Sequence, residues 1–416
     1  MLAGMLALLG LVPGLPTIPF LLMAAVTGML SYSMHRHGRA EVVAEGPSAH
    51  SKPGTSEQKA AGTPTAENKD KLESLLALDT LQIELGYALV PLADARKGGD
   101  LLERVTGVRR NFVQERGVVI PPIRLRDNLQ LGPNEYRFLL KGDVIAAGQL
   151  TPGQWLAMNA TNSKVVLRGT PTVEPVFQLP ATWISDVERK NAEAAGYTVV
   201  DAASVLVTHL SETLRRNCHE ILTRQDVQTL LDNLKQTHPA VVNELVPAQL
   251  TVGQVQRILQ NLLAEGISIR NLAAILEKVS DYATITKNPD ELSEYARKAL
   301  ASQIAKSFQS EQGVLRAITM DPRLEQQLAQ GLRQSQTEVG LVVEPRIARH
   351  IMDFLNRMVQ QMIVSGQQPV ILCAPPLRLA FRRFFESTFA DLAVLSYAEI
   401  PPRVQIQNAA MIPFPE

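Results

Sequence analysis

Residues 1–34 contain no charged side chain, and no other feature constrains this chain as strongly. That is enough apolar length for one membrane-crossing helix of roughly 20 residues and part of another. Val12-Pro13-Gly14-Leu15-Pro16 interrupts the run, because two prolines remove backbone donors and the glycine permits a reversal. The apolar stretch therefore divides into the tail of one span, residues 1–11, and a full short span, residues 17–34. A cleavable signal peptide would carry its basic residues before the apolar run and small residues after it. Here the bases follow, in His35-Arg36-His37-Gly38-Arg39, and the positive-inside rule then assigns everything after them to the cytoplasm.

Residues 40–70 are rich in Gly, Pro, Ser, Thr and Ala, with Val42 and Val43 their only sizeable apolar side chains. Such a segment cannot bury enough surface to offset its ordering entropy. It reads as a flexible tether of ~30 residues reaching roughly 30 Å. The membrane segment is thus 1–39 and the linker 40–71.

With 416 residues, the chain has length for roughly two to four compact units. Residues 81–89 read as a strand, and 100–115 place Leu101, Leu102, Val105, Val108 and Phe112 at helical spacing up to Gly117. Residues 118–125 are β-branched and extended; 136–140 and 144–147 flank Lys141-Gly142-Asp143 as a hairpin. From Asp201, an N-cap, helices dominate: 201–214, 224–234, then a helix-turn-helix-like pair at 251–263 and 268–279, then one opening at Asn288-Pro289-Asp290-Glu291. The final hundred residues return to α/β, with a helix at 344–365, a buried strand at 370–373, a basic helix at 377–385 and strands near Val394 and Val404. The fold class is α+β multidomain: a transmembrane helix, a linker, and a module mixing α/β parts with a helical one.

A search for chemistry returns little. Lys plus Arg equals Asp plus Glu at 41 each, so no global charge draws the chain to nucleic acid or an acidic substrate. Cys218 and Cys373 match no metal spacing and suit a reducing compartment. No GxxxxGK[ST] and no GxGxxG is present, and the histidines make no metal-binding pair, so neither cofactor, metal nor catalytic residue is expected. The second helix of the helix-turn-helix-like pair offers Arg270, Asn271 and Lys278 beside Glu277 and Asp281, a weak set for phosphates. Arg378-Leu-Ala-Phe-Arg-Arg383 reads as a solvated or subunit-facing amphipathic helix. An enzyme in the C-terminal α/β lobe, with Cys373 or His350 at a strand end, rests only on the habit of such sheets to bind ligands there.

One stretch stands apart. VEPVFQLPATWI, 173–184, sets Phe177, Leu179 and Trp183 among two prolines and fits neither a helix nor a clean strand. Pro175 and Pro180 would fix Phe177 and Leu179 in place without a strand ladder, with Trp183 anchoring the loop. The alternative is that all three are core residues.

Four segments carry a family resemblance: VPGLPTIPFLL at 12–22, RVTGVRRNFVQERGVVIPPIRLRDNLQLGPNEYRFLLKG at 104–142, GYTVVDAASVLVTHL at 196–210 and VQRILQNLLAEGISIRNLAAILE at 255–277. Together they resemble the FHIPEP family, the large membrane subunits of type III secretion export gates, in its flagellar branch. The virulence (injectisome) members share the membrane segment and general plan, but HPAVVNELVP at 238–247 and the hairpin sequence look flagellar.

The resemblance implies a protein of the bacterial inner membrane with a cytoplasmic part of four subdomains. The first is discontinuous at 72–152 and 202–221, the second is inserted at 153–201, and the third and fourth lie at 222–301 and 302–416. It implies assembly with itself into a nine-membered ring, and docking of the export ATPase complex with its stalk, the gate's switch subunit, and export chaperones carrying filament-type substrates. Family members have further spans before the VPGLP turn, so this sequence is expected to supply docking and ring assembly rather than the transmembrane gate. The family's chaperone-binding dimple, with its DPxFxL-like loop, falls on Glu174, Phe177 and Leu179. Val200, Val205 and Thr208 lie on the facing strand and helix, and Met158 on the rim. Val205 and Thr208, three apart, share one helix face.

Overall fold

The computed structural model describes residues 79–415 apart from 160–162, 164 and 335–338. The expected membrane segment and linker lie outside the described residues, among which no helix is long and apolar enough to cross a membrane. What is described is a mixed α/β assembly of three four-stranded sheets and a helical layer.

The first sheet has the order β2-β1-β3-β4, from β1 (Leu81–Leu85), β2 (Ile123–Asp127), β3 (Glu135–Leu140) and β4 (Asp143–Gln149). Strand β1 buries alternate residues and leaves the rest half covered, the signature of a one-sided sheet. It ends at Leu85, four residues short of the predicted strand, because Gly86 turns the chain toward Pro133 and Glu135. Helix α1 (Leu101–Arg116) crosses from β1 to the parallel β2 and stops at Gly117, whose φ of 77° is open to glycine at low cost. The β3–β4 hairpin forms as predicted around Lys141 and Gly142, both at positive φ.

The second sheet is antiparallel, ordered β6-β7-β5-β8, from β5 (Trp155–Met158), β6 (Thr170–Val173), β7 (Pro180–Ile184) and β8 (Thr198–Asp201), with α2 (Asp186–Ala194) following β7. The stretch at 173–184 is thus a β-hairpin, not a free loop: Val173 registers with Pro180, and Trp183 sits inside β7. The prolines hid this. Pro180 occupies the first position of its strand and Pro171 lies on the edge strand, the two places a missing N–H is tolerated.

Asp201 caps α3 (Ala202–Ile221) by accepting from Ser204 N, and Arg104 of α1 bonds both Asp201 and Ser204. Then follow α4 (Arg224–Thr237), α5 (Pro239–Leu245), α6 (Val252–Ala264), α7 (Leu272–Ala283), α8 (Pro289–Ala299) and α9 (Ala301–Phe308). Thr223 with Asp226 and Thr251 with Gln254 form reciprocal capping boxes for α4 and α6. Helix α7 starts four residues later than predicted. Residues 268–271 are held extended, with Ile269 N donating to Arg116 O and Ser268 O accepting from Gln303. Its apolar stripe, Ile275, Leu276 and Val279, is buried, and Tyr282 stacks on Tyr295 of α8.

The third sheet is parallel, ordered β13-β12-β9-β14, from β9 (Val314–Met320), β12 (Val370–Cys373), β13 (Ala393–Ser396) and β14 (Gln405–Ile412). Around it lie α10 (Pro322–Gln330), the short pair β10 (Leu332–Gln334) and β11 (Val339–Leu341), α11 (Pro345–Val364) and α12 (Pro375–Phe385). Alternation along β9, β12 and β13 buries apolar side chains on both faces, while the edge strand β14 is largely exposed. Leu315, Ala317, Val370, Leu372 and Leu395 join the buried cluster of the first sheet and the helices, while Ile318, Ile371, Cys373 and Val394 pack with α10, α11 and α12.

The basic helix α12 departs most from its sequence reading. Arg378 is 0% exposed, with its guanidinium on Glu265 and Glu294, and Arg383 pairs with Asp290 at 2.8 Å. Arg378 and Arg383 are thus taken up by carboxylates of α8 and of the residue that ends α6, within the same chain.

Candidate functional site: the hairpin tip

Residues 174–179 make one tight turn. Glu174 N donates to Leu179 O at 2.9 Å, closing the hairpin, and Gln178 N returns to Glu174 O at 3.1 Å. Pro175 occupies the first turn position, where its missing donor costs nothing. The Glu174 carboxylate accepts from the next two amides, Val176 N at 2.8 Å and Phe177 N at 2.7 Å, as a cap does at a helix start. Gln178 then takes a φ of +56°, a left-handed step that turns the chain back into β7.

This turn sorts its side chains. Glu174 is 4% exposed and Val176 is buried, whereas Phe177 is 67% exposed and Leu179 47%. Reading Phe177 and Leu179 as core residues is therefore wrong; Trp183 does lie in the core. Val173, which sequence reasoning did not single out, is exposed as well. Glu174, expected among the contacting residues, turns its carboxylate inward and fixes the backbone that presents Phe177.

Below the tip, Thr170, Trp183, Leu156 and Val200 register in one row across the sheet, and Met158 with Ala181 in the next row on the same face. That face looks onto α3: Met158 and Val200, half-buried, pack against the cluster that holds Leu156, Trp183 and Val205. Val205 is fully covered, while Thr208, one turn on, is exposed. The predicted residues thus separate into an exposed pair at the tip, a covered floor of Met158, Val200 and Val205, and Thr208 at the surface of α3.

Two residues missed by sequence reasoning tie α3 to the first sheet. The Tyr136 hydroxyl lies 2.8 Å from His209 Nδ1, both buried. Burial lowers the pKa of His209, with the Glu174 carboxylate opposing it. Burial, reinforced by Glu174, raises that of the Tyr136 phenol. Both groups are thereby kept neutral, and the phenol and the imidazole share one hydrogen bond. A Cβ on Gly148 of β4 would meet the Tyr136 hydroxyl at 2.5 Å, so that glycine makes room for the pair. Nothing in the local pattern marks Tyr136 and His209 as partners, since 73 residues separate them.

The C-terminal candidates for chemistry do not assemble. Cys373 is enclosed, its thiol against Leu395 O at 3.7 Å, and burial pushes its pKa up. His350 Nε2 lies 3.0 Å from Pro413 O. Among the described residues no group of His, Cys, Asp and Glu could hold a metal.

The sequence profile of the FHIPEP family matches residues 1–405. The chain belongs to the FHIPEP family. Among relatives within it, the flagellar biosynthesis protein FlhA of Bacillus subtilis (strain 168) is 41% identical over 346 residues, which is 83% of this chain and 51% of that protein. The FlhA protein of Proteus mirabilis is 36% identical over 414 residues, 99% of this chain and 57% of its own. The chain therefore spans about half the length of the curated relatives it matches. Among solved structures, the Chlamydia pneumoniae CdsV protein aligns with a TM-score of 0.71 at 25% identity, over 80% of this chain and 98% of that one. The nonameric SctV-C of EPEC shares the fold, with a TM-score of 0.66 at 21% identity over 81% of this chain and 99% of its own.

Proposed function

We propose that this chain is the docking platform of a flagellar type III protein export gate, and that the hairpin tip receives chaperone–substrate complexes. The observation that carries this is the exposure of Phe177 and Leu179 on a turn whose backbone is fixed by the buried Glu174. Two large apolar side chains held out of the core on a rigid mount suit an anchor pocket or groove on a partner. In this reading Glu174 positions, Phe177 and Leu179 contact, Thr208 contributes at the α3 surface, and Met158, Val200 and Val205 form the supporting floor.

The FlhA relatives, by name flagellar, favour the flagellar branch over the injectisome one. Membership of that branch supports placement at the bacterial inner membrane, with residues after about 35 cytoplasmic by the charge pattern. The same reading divides the cytoplasmic part at 72–152 with 202–221, 153–201, 222–301 and 302–416, and gives it a ring of identical copies, the export ATPase complex with its stalk, and the gate's switch subunit as further partners. The test is calorimetric titration of a filament chaperone–substrate complex into parent chain and Phe177→Ala. The variant is expected to bind at least about tenfold more weakly with an unchanged melting temperature. Equal affinities would remove the tip from the docking site.

A further inference from the structure

A cleft of about 980 Å³ opens where the end of α1, the middle of α3, residues 264–271, α9 and the turn before β13 converge. Six arginines and three carboxylates line it, a local surplus of three positive charges in a chain whose total is zero. Its carboxylates are engaged. Glu115 pairs with Arg215 at 3.5 Å, Asp391 with Arg216 at 3.7 Å, and Glu265 with Arg297 at 2.7 Å.

Two guanidiniums, Arg116 and Arg270, form no ion pair among the described residues, and a third, Arg382, has only a long one. Arg116 donates to the carbonyl of Gly266, and burial together with the neighbouring Arg215 lowers its pKa. Arg382 donates to Leu392 O at 3.0 Å and approaches a carboxylate, Glu386, only to 3.9 Å. Arg270 is exposed and forms no ion pair among the described residues. Asn271, beside it, opens α7 without a side-chain cap, so the positive end of that helix dipole adds to the same wall. Ile304, Phe308 and Leu392 line the same cleft. Cations drawn from separate segments in a cleft that also offers apolar side chains suit an extended chain carrying several carboxylates better than one compact anion.

We propose that this cleft is a second docking site, taking an acidic, leucine-containing peptide segment of a partner protein whose carboxylates pair with Arg116, Arg270 and Arg382. It needs nothing from the hairpin tip. The test is fluorescence anisotropy of a fluorescein-labelled peptide of Glu-Ala-Leu repeats with the full chain, against the neutral Gln-Ala-Leu peptide. The acidic peptide is expected to bind and the neutral one not. Arg270→Gln and Arg382→Gln should each weaken binding about tenfold, while Arg403→Gln, outside the cleft, and Phe177→Ala should leave it unchanged. Arg270 is exposed, so its variant keeps the fold even should Arg382→Gln not. Affinity unchanged in Arg270→Gln, or lost equally in Arg403→Gln, would overturn the proposal. So would displacement of the peptide by inorganic pyrophosphate bound tightly to the same arginines, which would make this a small-anion site.

Discussion

Arg378 lays both terminal nitrogens of its guanidinium on the two carboxylate oxygens of Glu265, at 2.6 and 3.0 Å, across the seam between the helical layer and the parallel sheet. Its Nε turns to Glu294 at 2.6 Å, and Arg297 joins the group from α8, between Glu265 and Glu399. Bidentate pairing of this kind fixes orientation as well as energy. The helical layer and the sheet are thus joined by a charge cluster whose arginines are fully buried.

Arg378→Ala should therefore destabilise the chain by about 3–5 kcal/mol, since it leaves Glu265 and Glu294 without their shared partner. Urea denaturation followed by circular dichroism measures this. Burial works to raise the Glu265 carboxyl, but Arg297 and Arg378 outweigh it and hold the group well below the usual carboxylate range. A carboxyl with a depressed folded pKa contributes its stability in full above the ordinary value and loses it as pH falls toward the folded one. The denaturation midpoint should drop below about pH 4.5, and by less in Arg378→Ala.

Phe177→Ala and Trp183→Ala separate mount from contact. Only six residues apart on one hairpin, they should differ in stability by about 3 kcal/mol or more, because Trp183 is buried and Phe177 is not. Thermal melts of the two variants decide it.

Removing the Glu174 carboxylate leaves two amides, Val176 N and Phe177 N, without their acceptor. In Glu174→Ala hydrogen exchange at these two positions should accelerate, and global stability should fall by about 1–3 kcal/mol. Chaperone binding should weaken even though this residue is covered. Glu174→Gln, retaining one acceptor oxygen, should lie between.

His209 makes the tip region acid-sensitive. Its folded pKa is lowered, so the unfolded chain binds the proton more readily, and this contribution to stability is complete above about pH 6.5 and declines as pH falls from there. One proton limits the slope to about 1.4 kcal/mol per pH unit. Replacing His209 with Phe should flatten the melting temperature between pH 7 and 5, at the expense of leaving the Tyr136 hydroxyl unpaired.

The contrast between what could and could not be read in advance follows range of interaction. Gly117 as helix stop, Asp201 and Asn288 as caps and the turn at Lys141-Gly142 are decided by neighbours a few residues away, and the chain obeys them. The second sheet was invisible because its strands are four or five residues long and two carry proline. Phe177 and Leu179 stood out as large apolar side chains between prolines, likeness to a family supplied their contacting role, and their exposure excludes the core alternative. Glu174 was legible as an acid but not as a buried one, since its burial comes with the turn that folds its carboxylate onto Val176 N and Phe177 N. Arg378 looked solvated because a lone sequence cannot show that Glu265, 113 residues earlier, waits on the other side.

The apolar face that β9, β12 and β13 turn toward the first sheet's cluster bears on how this protein can be taken apart. Leu315, Ala317, Val370, Leu372 and Leu395 belong to the same buried cluster as Ile83 and Leu206. Excised alone, the last lobe would offer those five side chains to water as one greasy plane, prone to self-association. Cut away, it would leave a matching bald patch on the rest. Lobes that look like separable modules along the chain are welded pieces of one object, and exchange of a single lobe between relatives should succeed only when both sides of that plane are transplanted together.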